Sequence, residues 1–164
     1  MRALYVTAAA LATLATTAAV EEPYDYRGTK MGTGLAIWRA DNPNGVCGKG
    51  EVLGATDCAI EQPPSRYGYE GLKYRFYPYG ESSEPMLYAV NILSSNPVDT
   101  QMHDGLVGKW GEPAERSLQI EKWRRGGSTI TYMRLGNGTS VTIALDSVVD
   151  GLDAAKKALA ARQF

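Results

Sequence analysis

Between residues 72 and 77 apolar and polar side chains alternate. Leu72, Tyr74 and Phe76 fall on one side, Lys73, Arg75 and Tyr77 on the other. A period of two predicts a strand with one face buried and one wet. The turn-forming run Pro78-Tyr79-Gly80-Glu81-Ser82-Ser83 leads to a more apolar stretch at 86–93, so the two segments predict a hairpin. Further on the period changes. Met102, Leu106 and Trp110 recur every four residues with Val107 beside them, one apolar stripe of a helix spanning about 99–110. Asp99 supplies a cap at its start. Gly111 and Pro113 stop it, glycine for the left-handed turn and proline because it cannot continue a helix.

Three strands are expected after this helix, at 117–125, 128–135 and 139–146, separated by Gly126-Gly127 and Gly136-Asn137-Gly138. Thr129, Thr131, Tyr132, Val141, Thr142 and Ile143 have the β-branched or aromatic character that strands favour. A last helix over 151–162 turns Leu152, Ala155 and Leu159 inward. Upstream, 34–39 reads as a first strand, and 40–70 as a long segment of turn signals without helical period. The fold class predicted is α+β: a mostly antiparallel sheet with one helix packed across it and another at the C-terminus.

The unit from Asp99 to Asp146, with its Lys109-Trp110-Gly111-Glu112-Pro113 helix end followed by three antiparallel strands, resembles two groups of small exported domains. They are the SmpA/OmlA (BamE-like) envelope-assembly proteins and the β-lactamase-inhibitor-protein repeat. The resemblance covers about a third of the chain. It implies a non-catalytic module that binds other proteins of the envelope, with a structural role for the turn from Trp110 to Pro113.

The beginning of the chain changes the picture of where it works. Met1 and Arg2 precede a run from 3 to 20 without a charge, ending in small residues. That pattern predicts a signal peptide over 1–19, cut near Ala19, then a flexible lead-in over 20–33 and a single domain over 34–164. The run is mainly alanine and threonine, too weakly hydrophobic to hold as a stable membrane span. No cysteine lies near the expected cut, so no lipid anchor is expected. The mature chain belongs in the periplasm or the secreted space.

Loss of Arg2 moves the formal charge from −1 to −2, which argues against nucleic acid as a partner, since that binding relies on clustered cations. The two cysteines, Cys47 and Cys58, predict a disulfide in an exported chain. Two thiols and one histidine fall short of a zinc site, and no cofactor is implied.

Candidate chemistry is sparse. His103, the one histidine, reads as a partly exposed helix residue beside Asp104. The pairs Glu21-Glu22 and Asp146 with Asp150 fall in the lead-in and at a helix start, positions that suit solvation and capping. The densest unusual composition lies between 66 and 88. Tyr67, Tyr69, Tyr74, Tyr77, Tyr79 and Tyr88 are interleaved there with Arg66, Lys73 and Arg75. Tyrosine and arginine dominate protein-binding hot spots. Arg66, Tyr67, Tyr69, Arg75, Tyr77 and Tyr79 are therefore the expected binding residues, with the four tyrosines of that set exposed and Tyr74 buried. Lys122, Arg124 and Arg125 around Trp123 form a second, smaller candidate for anions or carbohydrate. The leading expectation is a non-enzymatic module binding another envelope or secreted protein. The alternatives are a small-ligand or glycan site using Trp38, Tyr67 and Tyr69 under the disulfide loop, and an envelope hydrolase built on His103 and a carboxylate.

Overall fold

A computed structural model describes residues 25–60, 69–95 and 100–161. The expected signal peptide and the capping residue Asp99 lie outside them. The chain is α+β. An eight-stranded antiparallel sheet runs in the order β3-β4-β5-β6-β10-β9-β8-β7. Its strands are β3 (Val46–Lys49), β4 (Thr56–Ala59), β5 (Tyr69–Tyr77), β6 (Met86–Ser94), β7 (Glu115–Arg116), β8 (Ile120–Arg125), β9 (Ser128–Leu135) and β10 (Gly138–Leu145). A separate hairpin, β1 (Asp25–Tyr26) and β2 (Thr29–Lys30), precedes α1 (Leu35–Asp41). The other helices are α2 (Thr100–Trp110) and α3 (Asp146–Ala161).

The alternation read at 72–77 divides the sheet into two faces. On the inner face Leu72, Tyr74 and Phe76 join Val90, Ile92, Val141, Ile143, Ile130, Tyr132 and Trp123 in one buried core. Helix α1 covers it through Trp38, whose ring lies 5.1 Å from Tyr74 and 5.6 Å from Phe76. Helix α2 covers it through Met102, Leu106, Val107 and Trp110, as its stripe predicts. Gly111 then takes φ 76° and donates its N–H to the Val107 carbonyl, closing the helix as expected. On the outer face Lys73 stands opposite Asn91, and Asn91 opposite Thr142.

The pairing of β5 with β6 breaks register near the end of the hairpin. Arg75 pairs with Ala89 but Phe76 pairs with Leu87, so β6 carries an extra residue, Tyr88. Such a bulge lets neighbouring residues share a face. Tyr88 and Ala89 accordingly both pack with Val148 of α3, joined by Tyr77, Tyr79 and Leu152.

Five expectations need correction. Residues 34–39 are not a strand: Leu35–Asp41 is helical, with Trp38 turned into the core and Ile37 59% exposed. Contacts distant in sequence select this helix. Glu84 accepts the Ala36 N–H across 48 residues, Leu35 N–H bonds to the Pro85 carbonyl, and Asn42 closes the far end on the Trp38 carbonyl. In the lead-in, residues 25–30 form the β1–β2 hairpin, with Arg27 and Gly28 at positive φ and Met31 buried behind them. Within the 40–70 segment stand β3 and β4; residues 61–68 lie outside the described set. Finally, the strand expected at 117–125 begins at Ile120, after a separate β7, and the last helix begins at Asp146 rather than 151. In α3, Leu152 packs inward as expected, and the side chains of Ala155 and Leu159 are outside the described set.

Burial gives Tyr74 a titration signature. Desolvation in the core, helped by nearby Tyr26 and opposed by Arg27, pushes its hydroxyl from 10.0 up to about 12. Because the folded pKa lies above the unfolded one, this contribution is complete below pH 10 and is lost as pH rises toward about 12. Tyr79 and Tyr88 shift the same way, each mainly by burial. Urea unfolding across this range is expected to show stability falling with pH, and Tyr74→Phe is expected to flatten the fall. An equally steep decline in the variant would remove Tyr74 as the group responsible.

Candidate functional site

Lys73 and Arg75 stand two residues apart on the outer face of β5. Asp57 of β4 lies directly across from Arg75, and Ala59 across from Lys73. The β6 bulge brings the Tyr88 hydroxyl to the Arg75 guanidinium, which partly offsets the effect of burial on that tyrosine. From the loop joining β3 to β4, Glu51 reaches over both cations. Its carboxylate lies 2.9 Å from Arg75 Nη2 and 3.4 Å from Lys73 Nζ. Asp57 is more distant, 3.8 Å from Arg75 Nε and 3.7 Å from Lys73. Arg75, first by its charge and then by its hydrogen bond, holds Glu51 below the usual carboxylate range, with Lys73 adding to the effect.

A cavity of about 590 Å³ opens at this cluster. Glu51, Lys73, Arg75 and Asn91 give it a polar side, Val46 and Leu93 an aliphatic one. Val46 is 74% exposed and Leu93 44%. Gly71 gives depth: a Cβ there would meet only Leu93 Cδ1 at 3.9 Å. The wall at Val46 depends on the Cys47–Cys58 disulfide, which joins directly paired residues of β3 and β4 with Cα atoms 4.1 Å apart. That separation marks a non-hydrogen-bonded pair, in which side chains approach most closely.

Of the residues expected to bind, Arg75 is in this site. Arg66 and Tyr67 lie outside the described residues, and Tyr69 begins β5 with its side chain outside them. Tyr77 and Tyr79 are half-buried rather than freely exposed. Tyr77 packs edge-on against Tyr88 at 6.3 Å, and both contribute to the cluster under α3. Trp38 is a core residue with 1% exposure, so it cannot line a surface pocket. Sequence reasoning missed Glu51, Asp57, Asn91, Val46 and Leu93 as parts of the site. The one available signal was the wet-face position of Lys73 next to Arg75.

The remaining candidates each have partners within the fold. At the β8–β9 turn, Lys122 and Arg124 pair with Glu115 at 3.1 and 3.2 Å. Trp123 is buried and donates to the Gly111 carbonyl, while Arg125 donates to the Trp110 carbonyl at the end of α2. A cation there complements the helix C-terminus. Asp146 lies in the first turn of α3, 3.7 Å from Arg124.

His103 meets Glu121 of β8, Nε2 to Oε2 at 2.8 Å, and its ring packs edge-on against Tyr132. The carboxylate required by a hydrolase reading is therefore present. Yet the Glu121 side chain is only 4% exposed and is also held by Arg134 at 3.1 Å and Arg116 at 3.5 Å. Burial pushes its pKa up, but the His103 and Arg134 contacts and the Arg116 charge outweigh this and leave it lowered. Such an enclosed, multiply bonded carboxylate ties α2 to the sheet.

Among the described residues, no group of three or more His, Cys, Asp or Glu gathers to hold a metal, and no helix is long and apolar enough to cross a membrane. Comparison with protein-family models, curated proteins and solved structures finds no match for this chain.

Proposed function

We propose that this protein is an exported, non-catalytic binding module that captures another envelope or secreted protein at the outer-face cavity. The observation carrying the proposal is the pairing of exposed aliphatics, Val46 and Leu93, with Lys73 and Arg75 around one open space of about 590 Å³. Exposed apolar side chains beside an arginine provide the contact area and directed hydrogen bonds of an interface anchor. The disulfide suits an oxidising compartment, as does the leader-like start of the sequence. The likeness of residues 99–146 to envelope interaction domains supports the same class.

Co-purification from native envelope extract tests this reading, comparing the wild type with a Val46→Asp/Leu93→Asp double variant. A specific partner recovered by the wild type and lost from the variant is the expected result. Recovery by both would move the site elsewhere, and recovery by neither would overturn the class. A second reading, a small-ligand or glycan binder, draws on the cavity volume, which lies within the range of roughly 300–1,000 Å³ usual for small-molecule sites.

A further inference from the structure

Among the described residues, Lys73 and Arg75 line the cavity beside one lining carboxylate, Glu51. Asp57, beneath them with its side chain 13% exposed, stands near both β5 cations without reaching hydrogen-bond distance of either. Glu51 alone comes that close, and its side chain is 67% exposed on a turn. Arg75 Nε is enclosed and has no hydrogen-bond partner. A guanidinium is shaped to take a carboxylate through two parallel bonds. Here it receives one at 2.9 Å, while the other Glu51 oxygen turns to Lys73 at 3.4 Å.

We infer that the cavity takes a carboxylate carried by the partner polypeptide, and that Glu51 occupies the position of that carboxylate in the free protein. The inference rests on the binding-module reading and names the chemistry of its partner. The aliphatic walls add a second requirement. Val46 on β3 and Leu93 on β6 are three strand spacings apart and offset by two residues along the strands, about 16 Å, with the cations between them. About five extended residues span that distance. The fitting segment places Asp or Glu between two apolar side chains. Its carboxylate displaces Glu51, and the exposed position of Glu51 lets it withdraw into water at little cost.

The disulfide-bonded mature chain, ¹⁵N-labelled, is titrated with the capped pentapeptide acetyl-Leu-Gly-Asp-Gly-Leu-amide, whose leucines and aspartate share one face of an extended chain, its Asn counterpart, and 3-phenylpropionate. The acidic peptide is expected to shift the amides of Gly71, Lys73 and Leu93 saturably, and the Asn peptide to bind about tenfold more weakly. Glu51→Gln is expected to tighten the acidic peptide by about fivefold, and Lys73→Gln to weaken it by about threefold. Arg75→Gln is expected to abolish binding; the two surface variants preserve the test should that protein fail to fold. Equal binding of both peptides, or an unchanged affinity in Glu51→Gln, overturns the inference. Saturable binding of 3-phenylpropionate without the peptide overturns the polypeptide source. Acidic-peptide binding with no partner recovered by either the wild type or Val46→Asp/Leu93→Asp would overturn the module reading while leaving the carboxylate site standing.

Discussion

Replacing Trp38 by alanine is expected to cost about 4 kcal/mol, a large fraction of the total stability of a small domain. The side chain is 1% exposed and fills the space between α1 and the inner face, against Tyr74 and Phe76. Its support is local as well. A Cβ on Gly45 would come within 2.7 Å of the indole, so the chain passes as close to the ring as a glycine permits. Helix α1 has only seven residues and cannot persist without tertiary contacts. Removing the indole therefore leaves both a cavity and an unanchored helix. Trp38→Phe should cost less than half as much, because it keeps an aromatic ring and removes a buried Nε1 that has no hydrogen-bond partner. Urea unfolding of the three proteins measures both differences. A loss under about 1 kcal/mol for the alanine variant would mean that Trp38 faces solvent.

Trp38 also shows where sequence pattern stops being informative. A stretch such as 34–39 is too short to separate a period of two from one of 3.6. What decides it is Glu84 at the helix N-terminus, 48 residues away, and no local pattern encodes that contact. Where elements were longer, local signals sufficed. Strand β9 has the bounds expected from its glycine punctuation and β-branched content, and α2 follows its stripe and its glycine stop. Strands β3 and β4 were hidden because each has four residues and they flank a glycine-rich turn.

The site was legible only in part, for related reasons. Arg75 could be named because it lies on the wet face of a clear strand. Glu51, Asp57 and Leu93 come from a turn and two other strands, so only the sheet order brings them to it. The exposure expected of two tyrosines was not legible for a physical reason. Tyr77 holds a wet-face strand position and Tyr79 follows in the turn, but α3 returns over that end of the outer face and the bulge at Tyr88 completes a cluster around them.

Loss of the Cys47–Cys58 bridge is the second large effect, and it should be local before it is global. A sequence separation of 11 corresponds to roughly 3 kcal/mol in the chain-entropy model, about 10 °C in melting temperature for a domain of this size. Within the described sheet β3 has one neighbour, β4, and only four residues paired to it. The bridge joins a non-hydrogen-bonded pair, so the ladder bonds of β3 belong to the flanking Val46 and Gly48. In the Cys47→Ser/Cys58→Ser protein, amide exchange at Val46 and Gly48 should accelerate while Val90 and Ile143 stay protected until global unfolding. Unchanged exchange at these two amides, with a stability loss under about 1 kcal/mol, would show that the ladder alone holds the strand. Val46 forms one wall of the cavity, and the turn bearing Glu51 is anchored at one end by β3. A reduced chain would thus keep its core and lose one wall of the cavity before it lost its fold.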